Sequence, residues 1–278
     1  FKDIRISTPA NNGHALKLDF AQNCNFINFE AEDGSHTSSR RVQGIVLDGG
    51  AAGCAFTGTS LNEFTDGHVV FDGTYDAQEI DYCNNITFRD NMIERTDSGL
   101  PIIRVKCGNN IHFCGGNIAT GEDFVPTSDY AIIKIDNSAA RGLAGGGGAV
   151  TKTICFDDVS FTGGLTGTTR WANVLQCESD LASWNLAAYV SPTCTYSNCN
   201  YLARIESGAV IVNARNADNS SGGGLVGWSN PAGAGKINTR IASTASTSVI
   251  KSTCDYYKFT GNTNIDNFSP TYAGHKIV

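Results

Sequence analysis

Carboxylates follow two of the asparagines in this chain, and they are the side chains best suited to chemistry. Asp97 lies six residues after Asn91, and Asp123 lies six residues after Asn117. If these asparagines stack on each other in neighbouring repeats, the two aspartates follow adjacent repeats at equivalent positions and lie close together. The charged residues that flank the two aspartates are Glu94, Arg95 and Glu122.

Such a patch of four carboxylates and one arginine could hydrolyse a glycosidic bond. One acid would protonate the leaving oxygen while another attacks the sugar or activates water, and separations of about 5 Å or about 6.5–9.5 Å would predict retention or inversion. Crowding also raises the pKa of one carboxyl group, as an acid catalyst at neutral pH requires. The alternative is that these are solvated loop acids in a chain with 27 acidic residues. We predict a catalytic set of Asp97, Asp123, Glu94 and Glu122.

Aromatic side chains could bind the sugars, because the C–H faces of sugar rings suit aromatic surfaces. Trp171 follows a Gly/Thr-rich stretch and is the first candidate, and Tyr130 is the second. Together with Arg95 they form the predicted substrate-binding set. The alternative is that the aromatic residues, including Trp184 and Tyr189, pack an insertion onto the fold, which is the better interpretation for Trp184.

The elements that must position these residues follow from a repeated phrase: an apolar residue, any residue and then Phe, before a short polar stretch. The phrase recurs at intervals of roughly 25 to 32 residues, which is typical of repeats that bury one face against the next repeat. A second apolar–polar alternation precedes it and predicts another strand in each repeat. The phenylalanines of the phrase are Phe29, Phe56, Phe88, Phe113, Phe161 and Phe259.

The fold class follows from short strands, turns rich in Asn, Gly and Asp, and a near absence of helical patterning. One helical turn or two is predicted for 181–189. A sandwich would show turn signals every 8 to 12 residues or so. We predict an all-β, right-handed parallel β-helix, an elongated solenoid with loop insertions. Its coils would occupy 1–206, and 207–278 would form irregular final coils of the same continuous domain.

Stacked repeats would also align polar side chains about 4.8 Å apart on neighbouring strands. This predicts cross-strand ion pairs between Asp81 and Lys106, and between Glu79 and Arg104. We expect these pairs to be structural, because they place opposite charges side by side and so avoid like-charge contact. Exposed ion pairs of this kind contribute little to stability.

The ten cysteines are predicted to be mainly free. Cys83, Cys107 and Cys177 follow the strand phrase at one register, which indicates buried thiols that act as small hydrophobic groups. Cys194 and Cys199 lie in a loop and could pair. No CxxC motif occurs and the five histidines are scattered, so the sequence predicts no required metal and no other cofactor.

Charge and hydropathy exclude two classes of partner. The net charge is −7, the pI is near 5.2 and lysine and arginine form no cluster, so nucleic acid is not expected as a partner. No apolar stretch approaches the ~20 residues that span a bilayer, so no membrane insertion is expected. The chain begins at Phe1 in a strand-like segment, which suggests a fragment or a processed product.

Two repeats carry a resemblance to a known class of proteins. The segments 85–93 (NITFRDNMI) and 110–118 (NIHFCGGNI) resemble the coils of bacteriophage tailspikes and depolymerases, and more distantly those of pectate lyases and polygalacturonases. The resemblance implies a homotrimer in the virion tail, assembled in the host cytoplasm and acting outside the cell, with 207–278 contributing to subunit contacts. The implied activity is recognition and hydrolysis of a bacterial surface polysaccharide, such as a capsule, exopolysaccharide or O-antigen.

Two further functions remain open. A polysaccharide lyase would need an arginine or lysine base near the uronate α-carbon, and clustered carboxylates could hold Ca²⁺ for it. A non-catalytic receptor-binding fibre or adhesin would use the repeats as a rigid ladder of sugar-binding side chains. Fold alone does not choose between them.

Overall fold

The fold is taken from a computed structural model, and every regular element among the residues it describes is a β-strand. No helix long and apolar enough to cross a membrane occurs in these residues. The described residues are 1–7, 9, 11–34, 41–48, 50–72, 74–75, 80–81, 83–94, 99–106, 108–121, 124–126, 130–135, 153–164, 172–177, 185–191, 193–199, 202–205, 209–214, 228–229, 236–243, 249–250, 256–259 and 267–268.

Most strands belong to two parallel sheets, numbered here along the chain. The large sheet contains 13 described strands: β1 (Lys2–Ser7), β3 (Asn25–Glu32), β5 (Ala55–Thr57), β6 (Ser60–Asn62), β10 (Cys83–Glu94), β12 (Gly108–Ala119), β14 (Thr153–Asp157), β15 (Ser160–Thr162), β17 (Asn185–Val190), β18 (Thr195–Ser197), β20 (Ala209–Ala214), β22 (Lys236–Ser243) and β24 (Tyr256–Phe259). The small sheet contains eight: β2 (His14–Asp19), β4 (Gln43–Asp48), β7 (Val69–Phe71), β11 (Ile103–Val105), β13 (Ala131–Ile135), β16 (Asn173–Cys177), β19 (Ala203–Ile205) and β21 (Trp228–Ser229).

Four short strands lie outside these sheets. They are the antiparallel pair β8 (Thr74–Tyr75) and β9 (Ile80–Asp81), and the parallel pair β23 (Val249–Ile250) and β25 (Asn267–Phe268).

The chain alternates between the two sheets, and each return adds a parallel strand beside the previous one. Parallel neighbours need a crossover connection, and here a strand of the other sheet provides it. The prediction of an all-β chain with parallel strands is confirmed for the described residues. The arrangement is consistent with a β-helix-like fold.

A row of stacked phenylalanine rings forms the centre of the core. Neighbouring rings along the row have centroids 4.6–5.3 Å apart. Phe71 of the small sheet meets Phe88 and Phe113 edge to face, so both sheets share this core. The members of the row are Phe1, Phe26, Phe56, Phe88, Phe113 and Phe156.

Two phenylalanines expected in this row lie elsewhere. Phe29 pairs with Ile4, and Phe161 pairs with Ile118. The reason is a bend in each large-sheet strand: Asn28 has a φ of 53°, so Ile27 and Asn28 both face outward and Phe29 becomes a second inward position. The phrase of an apolar residue, any residue and then Phe matches phenylalanines at either inward position. It therefore does not separate the stacked row from the second position.

Left-handed residues at equivalent places form the bends and explain the polar turn residues of the sequence. Positive φ strains most side chains, and Gly, Asn and Asp tolerate it best. Amide groups connect these residues: Asn28 donates to Asp3 Oδ1 at 2.8 Å, and Asn110 donates to Asn85 Oδ1 at 2.6 Å. The bend residues with positive φ are Asp3, Asn28, Gly58, Asp90, Gly115 and Asp158, and those before the bend are Asn23, Gly53, Asn85 and Asn110.

The predicted helix is wrong for residues 185–189, which belong to strand β17, whereas 181–184 lie outside the described residues. The alternation of inward and outward residues competes with the helical pattern over so short a segment.

The predicted ion pairs are also revised. Lys106 pairs with Asp72, which follows β7, because Asp81 belongs to the antiparallel pair β8–β9 instead of the small sheet. Arg104 lies 3.9 Å from Asp66, and Glu79 is outside the described residues.

The seven thiols that the structure describes are free, as predicted, but the three cysteines expected at one register do not share it. Cys83 pairs with Gly108 in the large sheet, whereas Cys177 pairs with Ile135 in the small sheet, and Cys107 is not among the described residues. The suggested Cys194–Cys199 bond does not form: both thiols are free and buried. The Cys194 thiol donates to the carbonyl of Phe156 and the Cys199 thiol to that of Ser197.

Candidate functional site

Beyond the bend, the large sheet presents two outward rows of mainly polar side chains, named here the polar face. The residues between the two rows point inward and are largely apolar, so strand alternation separates polar face from core. In register, the first row is Arg5, Glu30, Ser60, Met92, Asn117, Ser160 and Thr195, and the second is Ser7, Glu32, Asn62, Glu94, Ala119, Thr162 and Ser197.

A shallow, open hollow of about 150 Å³ lies at one end of the polar face. Its charged members are ion-paired: Arg5 Nη2 lies 3.6 Å from Glu32 Oε1, and Arg5 Nε lies 3.8 Å from Glu30 Oε2. These groups are largely exposed, so the pairs contribute at most ~1 kcal/mol to stability. The hollow is lined by Arg5, Ile6, Glu30, Ala31, Glu32, Ser60 and Asn62.

Glu94 is the predicted catalytic residue that the structure describes, and it is held at both its side chain and its backbone. Its Oε1 accepts a hydrogen bond from Asn117 Nδ2 at 2.7 Å. Its carbonyl oxygen lies 2.8 Å from Nε2 of the buried His68 and also accepts the Glu63 N–H at 3.2 Å. The Glu94 side chain therefore projects from a fixed backbone position at the end of β10.

Glu94 and Glu32 flank Asn62 in the second row of the polar face. Their Cα atoms are two strand spacings apart, roughly 10 Å. All three residues are partly exposed. The structure thus offers two carboxylates with an amide between them, a pairing that the sequence analysis missed because the three residues belong to separate repeats.

The other predicted catalytic residues, Asp97, Asp123 and Glu122, lie outside the described residues, as do Arg95 and Trp171. The register that suggested their proximity is one residue off. Asn91 pairs with Gly116, and Asn117 pairs with Met92, so the two asparagines are not equivalent.

Tyr130, predicted to bind sugar, lies in the core instead. It is 3% exposed and packs against Phe124 with ring centroids 4.8 Å apart. Its backbone carbonyl accepts the Asn173 side-chain amide at 3.0 Å, which fixes the start of β13. In this position Tyr130 packs the small sheet and presents no free ring face to a ligand.

A second cluster, which the sequence analysis did not identify, lies on the large sheet before the bend. His112 and Cys114 point outward from β12, and the register places His112 beside Cys155 and Cys114 beside Asp157. One ligand atom from each of His112, Cys114 and Asp157 lies within 4.8 Å of the other two. The three residues, named here the His–Cys–Asp cluster, could hold a metal ion.

The cluster was detectable from the repeat but not from a motif. His112–x–Cys114 and Cys155–x–Asp157 each flank a phenylalanine of the stacked row, so aligning the sequence on those phenylalanines brings the two tripeptides together. They are 43 residues apart, from 112 to 155, and no conventional metal spacing covers that distance.

No family model, curated protein or solved structure matches this chain.

Proposed function

We propose that this protein recognises a bacterial surface polysaccharide along the polar face and hydrolyses it, as bacteriophage tailspikes do. The observation that carries the proposal is the pair of in-register rows of hydroxyl, amide and carboxylate groups on one face of the large sheet. In this proposal the strands form a right-handed parallel β-helix, which presents the rows as a rigid surface.

The shape of the polar face favours a polymer over a small molecule. Pockets for small ligands are concave and usually enclose ~300–1,000 Å³. The hollow around Glu32 and Asn62 is smaller, about 150 Å³, and it is open. A polysaccharide would gain affinity from many such contacts along the rows, and backbone hydrogen bonds between neighbouring strands fix the side chains before binding.

Catalysis is proposed for carboxylates at the Glu94 end of β10. In inverting glycosidases the two carboxyl groups are ~6.5–9.5 Å apart, leaving room for a water molecule. In the unliganded protein Glu94 leans toward Asn117 on β12, and Glu32 leans toward Arg5 and Ser7 on β1. The pair reaches that range only when bound sugar releases these contacts and both carboxylates turn toward each other across Asn62. Asp97, Asp123 and Glu122 remain proposed members of the same site.

The resemblance to tailspikes supplies the biological setting of the proposal. The chain would act as a homotrimer in a virion tail, with 207–278 in subunit contacts, and meet its polysaccharide outside the bacterial cell. No metal or organic cofactor is part of the proposed hydrolysis.

The test is incubation of the protein with purified capsule, exopolysaccharide and O-antigen, followed by size-exclusion chromatography. Shortened chains are expected with the wild type and not with Glu94→Gln or Glu32→Gln. Asp97→Asn and Asp123→Asn test the other two acids, and Asp19→Asn on the small sheet is the matched control. Absorbance from an unsaturated product would instead identify a lyase. Shortening that survives both Glu94→Gln and Glu32→Gln would contradict the proposed pair.

A non-catalytic adhesin is the second candidate, and one observation favours it. The Glu94 carboxylate is engaged by Asn117 and the Glu32 carboxylate by Arg5 and Ser7, so both acids already serve the polar face structurally. An adhesin would bind the polysaccharide without shortening it. The wild type and Glu94→Gln would then both leave the polysaccharide at its full length.

A further inference from the structure

We propose that the His–Cys–Asp cluster is a binding site for a divalent transition-metal ion, zinc above all, on the outer face of the large sheet. It is separate from the polar face, since its residues precede the bend of β12 and the bend after β14, whereas the polar-face residues follow it. The site does not depend on the proposed hydrolysis.

The chemistry of the donor atoms selects the metal. Zinc binds thiolate sulfur, imidazole nitrogen and carboxylate oxygen, usually in a tetrahedron. Calcium and magnesium require oxygen donors throughout, which Cys114 and His112 do not offer. The set therefore suits zinc and chemically similar ions such as cobalt(II).

The distances are close to those of a loaded site. Tetrahedral ligands 2.0–2.3 Å from zinc would lie roughly 3.3–3.8 Å from one another. The donor atoms of His112, Cys114 and Asp157 already lie within 4.8 Å of one another. Small side-chain rotations would close the remaining gap without moving the backbone.

The backbone that carries the ligands is anchored. Phe113, between His112 and Cys114, is buried and stacks on Phe156 at 5.3 Å, and Phe156 in turn immediately precedes Asp157. Ligands on such strands hold their geometry better than ligands on loops.

A hydrogen bond outside the ligand set orients the carboxylate. Thr193 Oγ1 donates to Asp157 Oδ1 at 3.2 Å, and Ser191 Oγ lies 2.9 Å from the same Thr193 oxygen. Partners of this kind are usual around metal-binding carboxylates and histidines. They leave Asp157 Oδ2 available for a metal ion.

Cys155 is a neighbour of the cluster, although its Sγ is not among the donor atoms that lie within 4.8 Å of one another. It is half-buried, its thiol is free, and the register places it beside His112 on the same face of the sheet. The register sets four outward residues on two neighbouring strands, and Cys155 would reach a bound ion only after its side chain rotates. The proposal itself rests on the other three.

The test is a titration of the reduced, chelator-treated full chain with cobalt(II) and then zinc. We expect one cobalt ion per chain, with the sulfur-to-cobalt charge-transfer band and the strong visible bands of a tetrahedral site, displaced by zinc. Cys114→Ser should remove the sulfur band or weaken binding at least 100-fold, and His112→Asn should weaken it similarly. Thr193→Ala should weaken binding ~10-fold through orientation alone.

Controls separate this site from adventitious metal binding. Cys24→Ser and His14→Asn change the same residue types away from the cluster and should leave affinity and spectrum unchanged. Circular dichroism without metal should show that each variant is folded, since only the loaded state is expected to differ. Absence of one-to-one binding in the wild type, or a Cys114→Ser protein that keeps both band and affinity, would overturn the proposal.

Discussion

The ring of Phe88 stacks on the ring of Phe56 with centroids 4.6 Å apart and planes 6° apart. Phe113 stacks on its other face at 4.9 Å, and Phe71 of the small sheet meets its edge at 6.1 Å. Phe88 is fully buried, and its ring contacts join three repeats and both sheets. The stacked row is therefore where the packing of one repeat depends most directly on the next.

Replacing Phe88 should consequently cost more stability than any change on the outer face of the same strand. Phe88→Ala leaves a cavity among three packed rings, and we expect a loss of about 3–5 kcal/mol in the free energy of unfolding. Phe88→Leu should cost less. Met92→Ala, 44% exposed on the same strand, is the control and should change stability by under ~1 kcal/mol. Urea unfolding followed by circular dichroism measures all three, and equal losses for Phe88→Ala and Met92→Ala would contradict the stacking argument.

Gly116 and Gly99 form a matched pair for testing a close approach between backbones. Gly116 has a φ of 86°, and a Cβ placed on it would lie 2.0 Å from the carbonyl oxygen of Asn91. That oxygen belongs to the neighbouring strand, so it cannot yield without disturbing the pairing of β10 and β12. We expect Gly116→Ala to lose more than ~2 kcal/mol.

Gly99→Ala is the control, because a Cβ there meets no atom within 4 Å. It should be neutral or slightly stabilising, since alanine lowers the entropy of the unfolded chain. Thermal unfolding of the two variants beside the wild type decides the matter: a Gly116→Ala protein as stable as Gly99→Ala would mean that β12 shifts away from Asn91.

The sequence predicted the strands and turns well because these depend on local chemistry. Asn, Asp and Gly at the bends tolerate positive φ, and period-two alternation indicated the strand faces. Register was harder, because it depends on the length of each connection. Asp72, not Asp81, faces Lys106, since the β8–β9 pair interrupts that repeat. An error of one residue likewise misaligned Asn91 with Asn117.

The candidate sites were less predictable because each joins residues from different repeats. Glu32, Asn62 and Glu94 become neighbours only once β6 is placed between β3 and β10. His112 meets Asp157 only when the stacked phenylalanines set the register. Without the correct row of phenylalanines, which the bends obscured, neither arrangement can be obtained from spacing alone.

The buried thiols of Cys199 and Cys194 should make stability fall at alkaline pH. Burial raises the pKa of Cys199 to about 12 and that of Cys194 to about 11. An unfolded thiol ionises near pH ~8.5, so the unfolded chain loses these protons first. The stabilising contribution is complete below that pH and is lost as the pH rises toward 11–12.

Each thiol should steepen the decline by up to about 1.4 kcal/mol per pH unit. Urea midpoints of the reduced protein at pH 8, 9 and 10 should therefore fall less steeply in a Cys194→Ala, Cys199→Ala double variant, whatever its stability at pH 8. Cys24→Ala, which removes a half-buried thiol, serves as the control. Parallel pH profiles for the double variant and the wild type would contradict this prediction, because they would mean that these thiols ionise as readily in the folded protein as in the unfolded chain.

The polar face should contribute to polysaccharide binding through individual hydrogen bonds, and Asn62 offers the clearest test. It lies between Glu32 and Glu94, and its contact with the Ser60 hydroxyl is long, at 3.4 Å, so its amide is weakly committed to the protein. Losing one neutral hydrogen bond to a sugar costs about 0.5–1.5 kcal/mol. Asn62→Ala should therefore weaken binding ~2–13-fold in calorimetry, with the unfolding midpoint nearly unchanged.

Thr57→Ala is the matched control for Asn62→Ala, because Thr57 lies outward in the same repeat but before the bend. Both titrations should use a Glu94→Gln background, so that the polymer keeps its length during the measurement. A loss of affinity confined to Asn62→Ala would locate binding beyond the bend. Equal losses in both variants would mean that the ligand crosses the bend, and a loss only in Thr57→Ala would move the binding surface to the part of the sheet that carries the His–Cys–Asp cluster.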